Sequence, residues 1–177
     1  TTAAPVSQAP TQSAADTPPP LPDKPSIAVL PFVNMSNDPE QEFLADGIAE
    51  DVTTALSKFG SLFVIARTST FSYKGQSVPV AVIARDLGVR YVVEGSIRSA
   101  GSRVRIAAQL IEAATGTHIW ADRLDGQLDD IFALQDEITE RIVVSIVPEI
   151  HETEGMLARR KPVESLDAWA LIQRGIT

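Results

Sequence analysis

The chain has no cysteine among its 177 residues. This absence excludes disulfide bonds, thiolate zinc sites and thiol nucleophiles, and it fits a reducing compartment. Long hydrophobic runs are also missing, since none approaches the roughly 18 residues that a membrane-spanning helix requires. The N-terminus has neither the basic region nor the apolar stretch of a signal peptide. We therefore expect no direct membrane insertion and a cytoplasmic location, or a periplasmic one if a membrane helix lies upstream.

Basic residues are scarce, because 15 Lys and Arg stand against 23 Asp and Glu, for a formal charge of -8. A surface of this sign repels a phosphate backbone unless basic side chains are gathered in one patch, so we expect no nucleic-acid partner. Hydrophobic residues make up 44% of the chain and charged residues 21%. These are globular values, and the length fits one domain with tails.

Catalytic motifs are absent as well. The chain has no G-x-S-x-G, no Walker A loop and no G-x-G-x-x-G. Neither His118 nor His151 has a partner at metal-ligand spacing. Asp46, Glu50 and Asp51 cluster on one predicted helix, where a solvated face is a better interpretation than an acid-base or cation site. We expect no catalytic residue, no metal and no cofactor. These 177 residues alone are therefore expected not to form an enzyme.

Composition divides the chain into three parts. Residues 1–25 hold seven of the 12 prolines and predict a disordered linker. Residues 26–150 carry the patterned segments of one domain. Residues 151–177 predict a charged connector and one further amphipathic helix, which begins at Ser165 and buries Leu166, Trp169, Ala170 and Ile172.

The first half of the domain predicts a β-α-β-α-β order. The apolar run at residues 27–33 is typical of a buried central strand, with pairing weakened at Pro31. Asp38 as N-cap, Pro39 at the first helical position and Gln41 at the capping-box position start a helix that Gly60 ends. Residues 62–66 predict a second strand, parallel to the first. A loop at residues 67–76, a helix at residues 78–87 and a strand at residues 91–93 follow.

The second half changes to a period of two, which predicts an antiparallel meander of residues 94–98, 103–110 and 118–123. Helical spacing returns at residues 128–146, and Pro148 is expected to kink or end that helix. The predicted fold is α/β (α+β), a mixed sheet of about five strands in the order β-α-β-α-β-β-β-α with helices packed on it.

Two neighbouring segments are candidates for contacts with a ligand or partner. The turn after the first strand lies at a strand's carboxyl end and at a helix N-terminus, where small ligands bind in α/β sheets. The loop after the second strand carries two aromatic side chains, which either contact a partner or cover the core. The candidate residues are Asn34, Ser36, Asn37, Asp38, Arg67, Phe71 and Tyr73.

Three arginines, Arg98, Arg103 and Arg105, cluster around a predicted hairpin and could bind an anion or nucleic acid. Cross-strand ion pairs with Glu94 and Glu112 are the preferred interpretation. Gly95 interrupts the same strand pattern, which more often marks a close backbone approach than a phosphate cradle.

Several segments carry a resemblance to a known module: DKPSIAVLPFVNMSNDPEQEFLADGIAEDVTTALSKFG, RDLGVRYVVEGSIR, RVRIAAQLIEAATGTHIWADR and DIFALQDEIT. Together with the residues between them, about 23–149, they resemble a bacterial module related to the N-terminal domain of TolB. In that family the module lies between an output domain, either a class III adenylate/guanylate cyclase or a winged-helix regulator, and C-terminal tetratricopeptide repeats.

The resemblance implies a non-catalytic regulatory or protein-interaction domain of a bacterial signalling protein, most similar to the cyclase-linked form that produces cAMP. Its partners would be the cyclase domain and the tetratricopeptide repeats of its own chain, and also a second copy as a homodimer. Two alternatives remain open at this point. One is a small-ligand sensor, and the other is the equivalent domain of a winged-helix transcriptional regulator.

Overall fold

A computed structural model describes residues 24–159. The predicted linker and the predicted C-terminal helix with its repeats lie outside these residues, apart from Lys24 and Pro25. Six strands form one mixed sheet: β1 (Ser26–Val29), β2 (Val33–Asn34), β3 (Phe63–Val64), β4 (Tyr91–Ala100), β5 (Arg103–Glu112) and β6 (Thr117–Gln127). The order across the sheet is β3-β1-β4-β5-β6, and β2 pairs with β4 beyond the end of β1.

The first predicted strand is two short strands. Both β1 and β2 run parallel to β4, and Leu30 donates to the Val93 carbonyl at 2.9 Å while Met35 donates to that of Ile97 at 2.8 Å. Pro31 lies between them, and because it has no N–H the ladder is interrupted there. The weak pairing predicted at Pro31 is confirmed, as is the parallel pairing of the first strand with β3.

The antiparallel meander is longer than the sequence pattern predicts. Residues 91–93 and 94–98 belong to one ten-residue strand, β4, which pairs with β5 along its whole length. The turn between β4 and β5 consists of Gly101 and Ser102. Gly101 has a φ of 61°, a region that glycine reaches without steric cost. The third strand, β6, extends to Gln127 instead of ending at Arg123.

Four helices accompany the sheet: α1 (Gln41–Ser57), α2 (Arg67–Phe71), α3 (Val80–Leu87) and α4 (Ile131–Arg159). Regular α1 starts later than predicted, but the capping chemistry is present. Asp38 Oδ1 accepts the Glu40 N–H at 2.9 Å, and its Oδ2 accepts the Gln41 side-chain amide at 3.2 Å. The predicted loop at residues 67–76 contains the short helix α2, which is a correction to the prediction.

Helix α4 corrects one part of a second prediction, since it does not end at Pro148 but continues to Arg159. Contacts beyond the proline hold its last turns on the domain. Glu154 accepts the Tyr91 hydroxyl at 2.7 Å and pairs with Arg90 at 3.1 Å, and the His151 ring lies 3.0 Å from the Ser61 hydroxyl. These tertiary contacts offset the backbone hydrogen bond that a proline inside a helix removes.

The core has two parts, one on each face of the sheet. Helices α1 and α4 cover one face along all the long strands, with Ile48, Val52, Ile142 and Ile146 fully buried. On the other face α3 packs over β1 and the start of β4 through Ile83 and Ala84, which contact the buried Ala28, Leu30, Val89 and Val92. Within residues 24–159 no helix packs on that second face beyond the start of β4. The predicted mixed α/β fold is confirmed.

Candidate functional site: the open face of the sheet

The part of the second face that lies beyond α3 is called here the open face. Its side chains follow from the alternation along β5, in which Val104, Ile106, Ala108 and Leu110 are buried. The residues between them point the opposite way, since successive side chains of a strand alternate between faces. Arg103, Arg105 and Ala107 are accordingly exposed.

Strand register arranges the open face in rows. One row runs from Val33 through Ser96 and Ala107 to Arg123, across β2, β4, β5 and β6. The next row begins with Met35, which follows β2, and continues through Arg98 and Arg105 to Asp125. Small side chains therefore occupy the centre of the first row, whereas two arginines occupy the centre of the second.

A groove of about 1140 Å³ lies over this centre. One wall is the chain from Leu30 to Met35, and the other is the segment from Tyr73 to Val78 with the start of α3. Gln109 and Arg123 add polar groups to the lining, and carboxylates are contributed by Glu42, Glu94 and Asp122. The groove combines apolar surface with scattered donors and acceptors, an arrangement suited to binding.

Gly95 illustrates how tightly the sheet is packed next to the groove. A Cβ atom at this position would lie 2.5 Å from the Ala107 carbonyl oxygen and 2.5 Å from the Phe32 ring. The prediction that Gly95 marks a close approach is thus confirmed, and the approaching groups are a neighbouring strand and a core side chain.

The arginines on the open face do not pair as predicted. Glu94 accepts a hydrogen bond from the Gln109 amide, and Glu112 accepts one from Thr115. The ion pair that forms instead joins Arg105 to Asp125 at 2.9 Å. This exposed contact raises the pKa of Arg105 and lowers that of Asp125, mainly through the hydrogen bond between them. The expected pairs with Glu94 and Glu112 are therefore wrong.

The predicted turn after the first strand uses most of its polar groups internally. The Asn34 amide donates to the Asp38 carbonyl at 2.9 Å, and Ser36 Oγ accepts the Ser99 N–H at 2.9 Å. Asn34 also lines the groove, whereas Ser36, Asn37 and Asp38 do not. The Asn34 bond stabilises the turn itself, and the Ser36–Ser99 bond holds the end of β2 against β4.

The second predicted segment divides between the two faces of the sheet. Phe71 packs against the core under α1 and α4, and the Arg67 guanidinium stacks over its ring at 4.1 Å. Tyr73 packs against the core under α3 and lines the groove. Both aromatics thus cover the core, and of the seven candidate residues only Asn34 and Tyr73 reach the groove.

The acidic stripe of α1 holds the α2 segment in place. Lys74 lies 2.6 Å from Asp46 and 3.3 Å from Glu42, and Arg67 lies 3.6 Å from Glu50. The hydrogen bond to Asp46 is the main reason that the pKa of Lys74 is raised. These carboxylates have partners in the fold, so the predicted solvated face is partly a contact surface.

Residues 24–159 contain neither a candidate metal cluster nor a candidate membrane-spanning helix. No group of three or more His, Asp or Glu side chains in this range is arranged to hold a metal ion. None of its helices is both long and apolar enough to cross a bilayer.

Known proteins of similar sequence show the family to which this chain belongs. The family of the second domain of HilA/YgeH-like transcriptional regulators matches residues 23–141, well over half of the chain. The chain belongs to this family. The chain is also 54% identical over 158 residues to a protein of Rhizobium meliloti (strain 1021) named "Putative adenylate cyclase 3". The match covers 89% of this chain and 27% of the relative, so the chain spans about a quarter of that protein's length.

Two solved structures are similar to the HilA/YgeH-like domain at low sequence identity. The lipoprotein GNA1162 from Neisseria meningitidis has a TM-score of 0.51 at 16% identity, covering 68% of this chain and 99% of that one. TolB from Acinetobacter baumannii has a TM-score of 0.48 at 18% identity, covering 72% and 29%. At this level of identity the GNA1162 likeness shows a common fold alone.

Proposed function

We propose that the HilA/YgeH-like domain is a non-catalytic regulatory domain of a multidomain signalling protein, and that it couples the modules before and after it. The observation that carries this proposal is the meeting of the domain's first strand and last helix at one place. A change of position in one flanking segment would therefore shift the other.

The meeting point is Arg90, just before β4. Its backbone N–H donates to Ser26 at the start of β1, to the carbonyl at 3.2 Å and to the hydroxyl at 3.0 Å. Its guanidinium pairs with Glu154 of α4 at 3.1 Å. The neighbouring Tyr91 hydroxyl donates to the other oxygen of the same carboxylate. We call Ser26, Arg90, Tyr91 and Glu154 the terminal joint.

The contacts of the terminal joint stabilise the end of α4, yet they can break without unfolding the rest of the domain. Tyr91 is fully buried, and burial raises its pKa, so its hydroxyl stays protonated and donates. A hydrogen bond to a charged group contributes about 1.5–3 kcal/mol. The Arg90 side chain is half exposed, and an ion pair of this kind adds at most about 1 kcal/mol. A pull on α4 could release its last turns while the main core stays folded.

For the output we propose a nucleotide cyclase, which the name and high identity of the Rhizobium relative support. The test compares cyclic-nucleotide production by the full-length protein with that of a variant in which a flexible linker replaces residues 24–159. We expect the deletion to change how output is regulated while the cyclase stays active. Unchanged output and regulation would refute the coupling role.

The family match favours a second candidate, the equivalent domain of a transcriptional regulator. The same deletion would then alter expression of a reporter gene under the regulator's promoter, and cyclic-nucleotide production would be absent from both proteins. The two readouts separate the candidates within one experiment.

The groove of about 1140 Å³ favours a third candidate, a small-ligand sensor. A ligand that binds only the folded state raises the melting temperature, so a metabolite screen by thermal shift tests it. A hit should lose its effect when Tyr73→Ala removes one wall, and a hit unaffected by that change would bind elsewhere.

A further inference from the structure

We propose that the open face of the sheet binds an acidic segment of a partner protein. This inference rests on the charge and shape of that face and is independent of the terminal joint. It applies to whichever output module accompanies the domain.

Four arginines gather on the open face of an acidic chain. Arg98 stands directly opposite Arg105, Arg103 lies two residues before Arg105 on the same side of β5, and Arg123 lies diagonally across on β6. Neighbours of these kinds lie about 5–8 Å apart in a sheet. One patch thus holds four of the chain's 15 Lys and Arg, although the net charge is -8.

This arrangement is unfavourable for the isolated fold. Like charges directly opposite one another on adjacent strands destabilise a sheet, and Arg98 faces Arg105 in that way. Asp125 forms its ion pair with Arg105, and the charges of Arg123 and Arg103 also lower the pKa of Asp125. Among residues 24–159 the other three arginines form no ion pair of their own, so one carboxylate is shared by several arginines. An anionic partner would relieve the repulsion, which identifies the sign of the charge it carries.

The border of the patch is apolar. Val33 is 60% exposed and Met35 is 53% exposed, and the Met35 sulfur lies 3.9 Å from the Arg98 guanidinium. Next to Val33 across the sheet lie Ser96 and Ala107, whose small side chains rise little above the sheet. A partner segment that combines carboxylates with an apolar side chain would therefore match both parts, with carboxylates on the arginines and the apolar group beside Met35.

Two other kinds of anion fit less well. A small anion needs donors that converge in a buried site, whereas these four arginines are all exposed along a sheet. A nucleic acid would bring a dense phosphate charge close to a protein of net charge -8, which opposes binding. A short acidic peptide carries less charge and uses the apolar border.

The test measures fluorescence anisotropy of a short labelled peptide rich in glutamate and leucine, titrated with the complete 177-residue chain. The test variant combines Arg98→Gln, Arg103→Gln and Arg123→Gln, which leaves the Arg105–Asp125 pair intact. The control combines Lys58→Gln, Arg85→Gln and Arg141→Gln, all of them exposed and outside the lining of the groove. Each variant loses three positive charges, so the two variants have the same net charge.

We expect the wild type to bind, the test variant to bind at least about tenfold more weakly, and the control to stay within about twofold. Asp125→Asn should tighten binding, since it frees Arg105. The test variant should melt no lower than the wild type, because it removes repulsion between arginines.

Three outcomes would overturn the proposal. They are no binding by the folded wild type, equal losses in the test and control variants, and tighter binding of single-stranded DNA than of the peptide. The second would mean that net charge alone attracts the peptide, and the third would assign the face to nucleic acid.

Discussion

Replacing Gly95 by alanine tests the packing of the sheet at its most crowded point. The new methyl group would lie 2.5 Å from the Ala107 carbonyl oxygen and 2.5 Å from the Phe32 ring. Ordinary contacts of this kind are at 3.4–4 Å. The overlap of about 1 Å must be relieved by moving either a backbone group of β5 or a buried ring.

The expected cost follows from these two neighbours. Overpacking a well-packed core costs about 1–3 kcal/mol, and Gly95 belongs at the upper end because one obstacle is backbone. Replacing glycine also restricts the unfolded chain, which returns about 0.4–1 kcal/mol. The net loss should be about 2–2.5 kcal/mol.

Urea denaturation of the wild type and of Gly95→Ala measures this difference. Gly60→Ala is the matched control, because a Cβ there meets nothing within 4 Å. We expect the control to change the free energy of unfolding by less than about 1 kcal/mol. Equal stabilities of the two variants would show that β4, β5 and the Phe32 ring are not packed as described.

Three further changes test individual contacts. Tyr91→Phe should lower stability by about 1–2 kcal/mol by urea denaturation, because Glu154 loses a buried donor but can still reach water; no loss would place Glu154 elsewhere. Burial, followed by neighbouring carboxylates, raises the pKa of Asp51 above 3.8, so its charge weakens the fold above the folded pKa and stops doing so below 3.8. Asp51→Asn should therefore stabilise by up to about 0.5 kcal/mol at neutral pH, with the gain lost in acid, and a gain that persists there would contradict this cause. Lys74→Ala should cost about 0.5–1 kcal/mol at low salt and less at high salt, and a salt-independent loss would argue against its ion pair with Asp46.

Local patterns predicted those parts of the fold whose causes are local. The period of two placed Arg103 and Arg105 on a solvent-facing side of β5, and the structure confirms this. Capping groups around Asp38 located the start of α1 to within a few residues. Short-range steric and hydrogen-bonding rules were sufficient for these features.

Elements that depend on distant contacts were not predictable in this way. Helix α2 contains Thr68, Ser69 and Thr70, which favour helices weakly, and it is held by the Arg67–Glu50 contact and by burial of Phe71. The continuation of α4 past its proline likewise depends on partners 63 residues away in the chain. Tertiary contacts outweigh propensity at both places.

The candidate site shows the same limit. Phe71 and Tyr73 are two residues apart, yet they pack on opposite faces of the sheet. The open face requires the β4–β5–β6 register, which places Arg123 and Asp125 beside arginines about 20 residues earlier. Only the folded sheet assembles that surface.

The coupling role is tested most directly by a charge exchange in the terminal joint of the full-length protein. The variants are Arg90→Glu, Glu154→Arg and the two together, and the readout is cyclic-nucleotide production. The account predicts that each single reversal shifts output in the direction produced by replacing residues 24–159 with a linker. The double variant should return part of the way toward the wild type, because the ion pair re-forms with its charges exchanged while the Tyr91 hydroxyl stays without its carboxylate acceptor. Single reversals that leave output unchanged in a folded protein would contradict it.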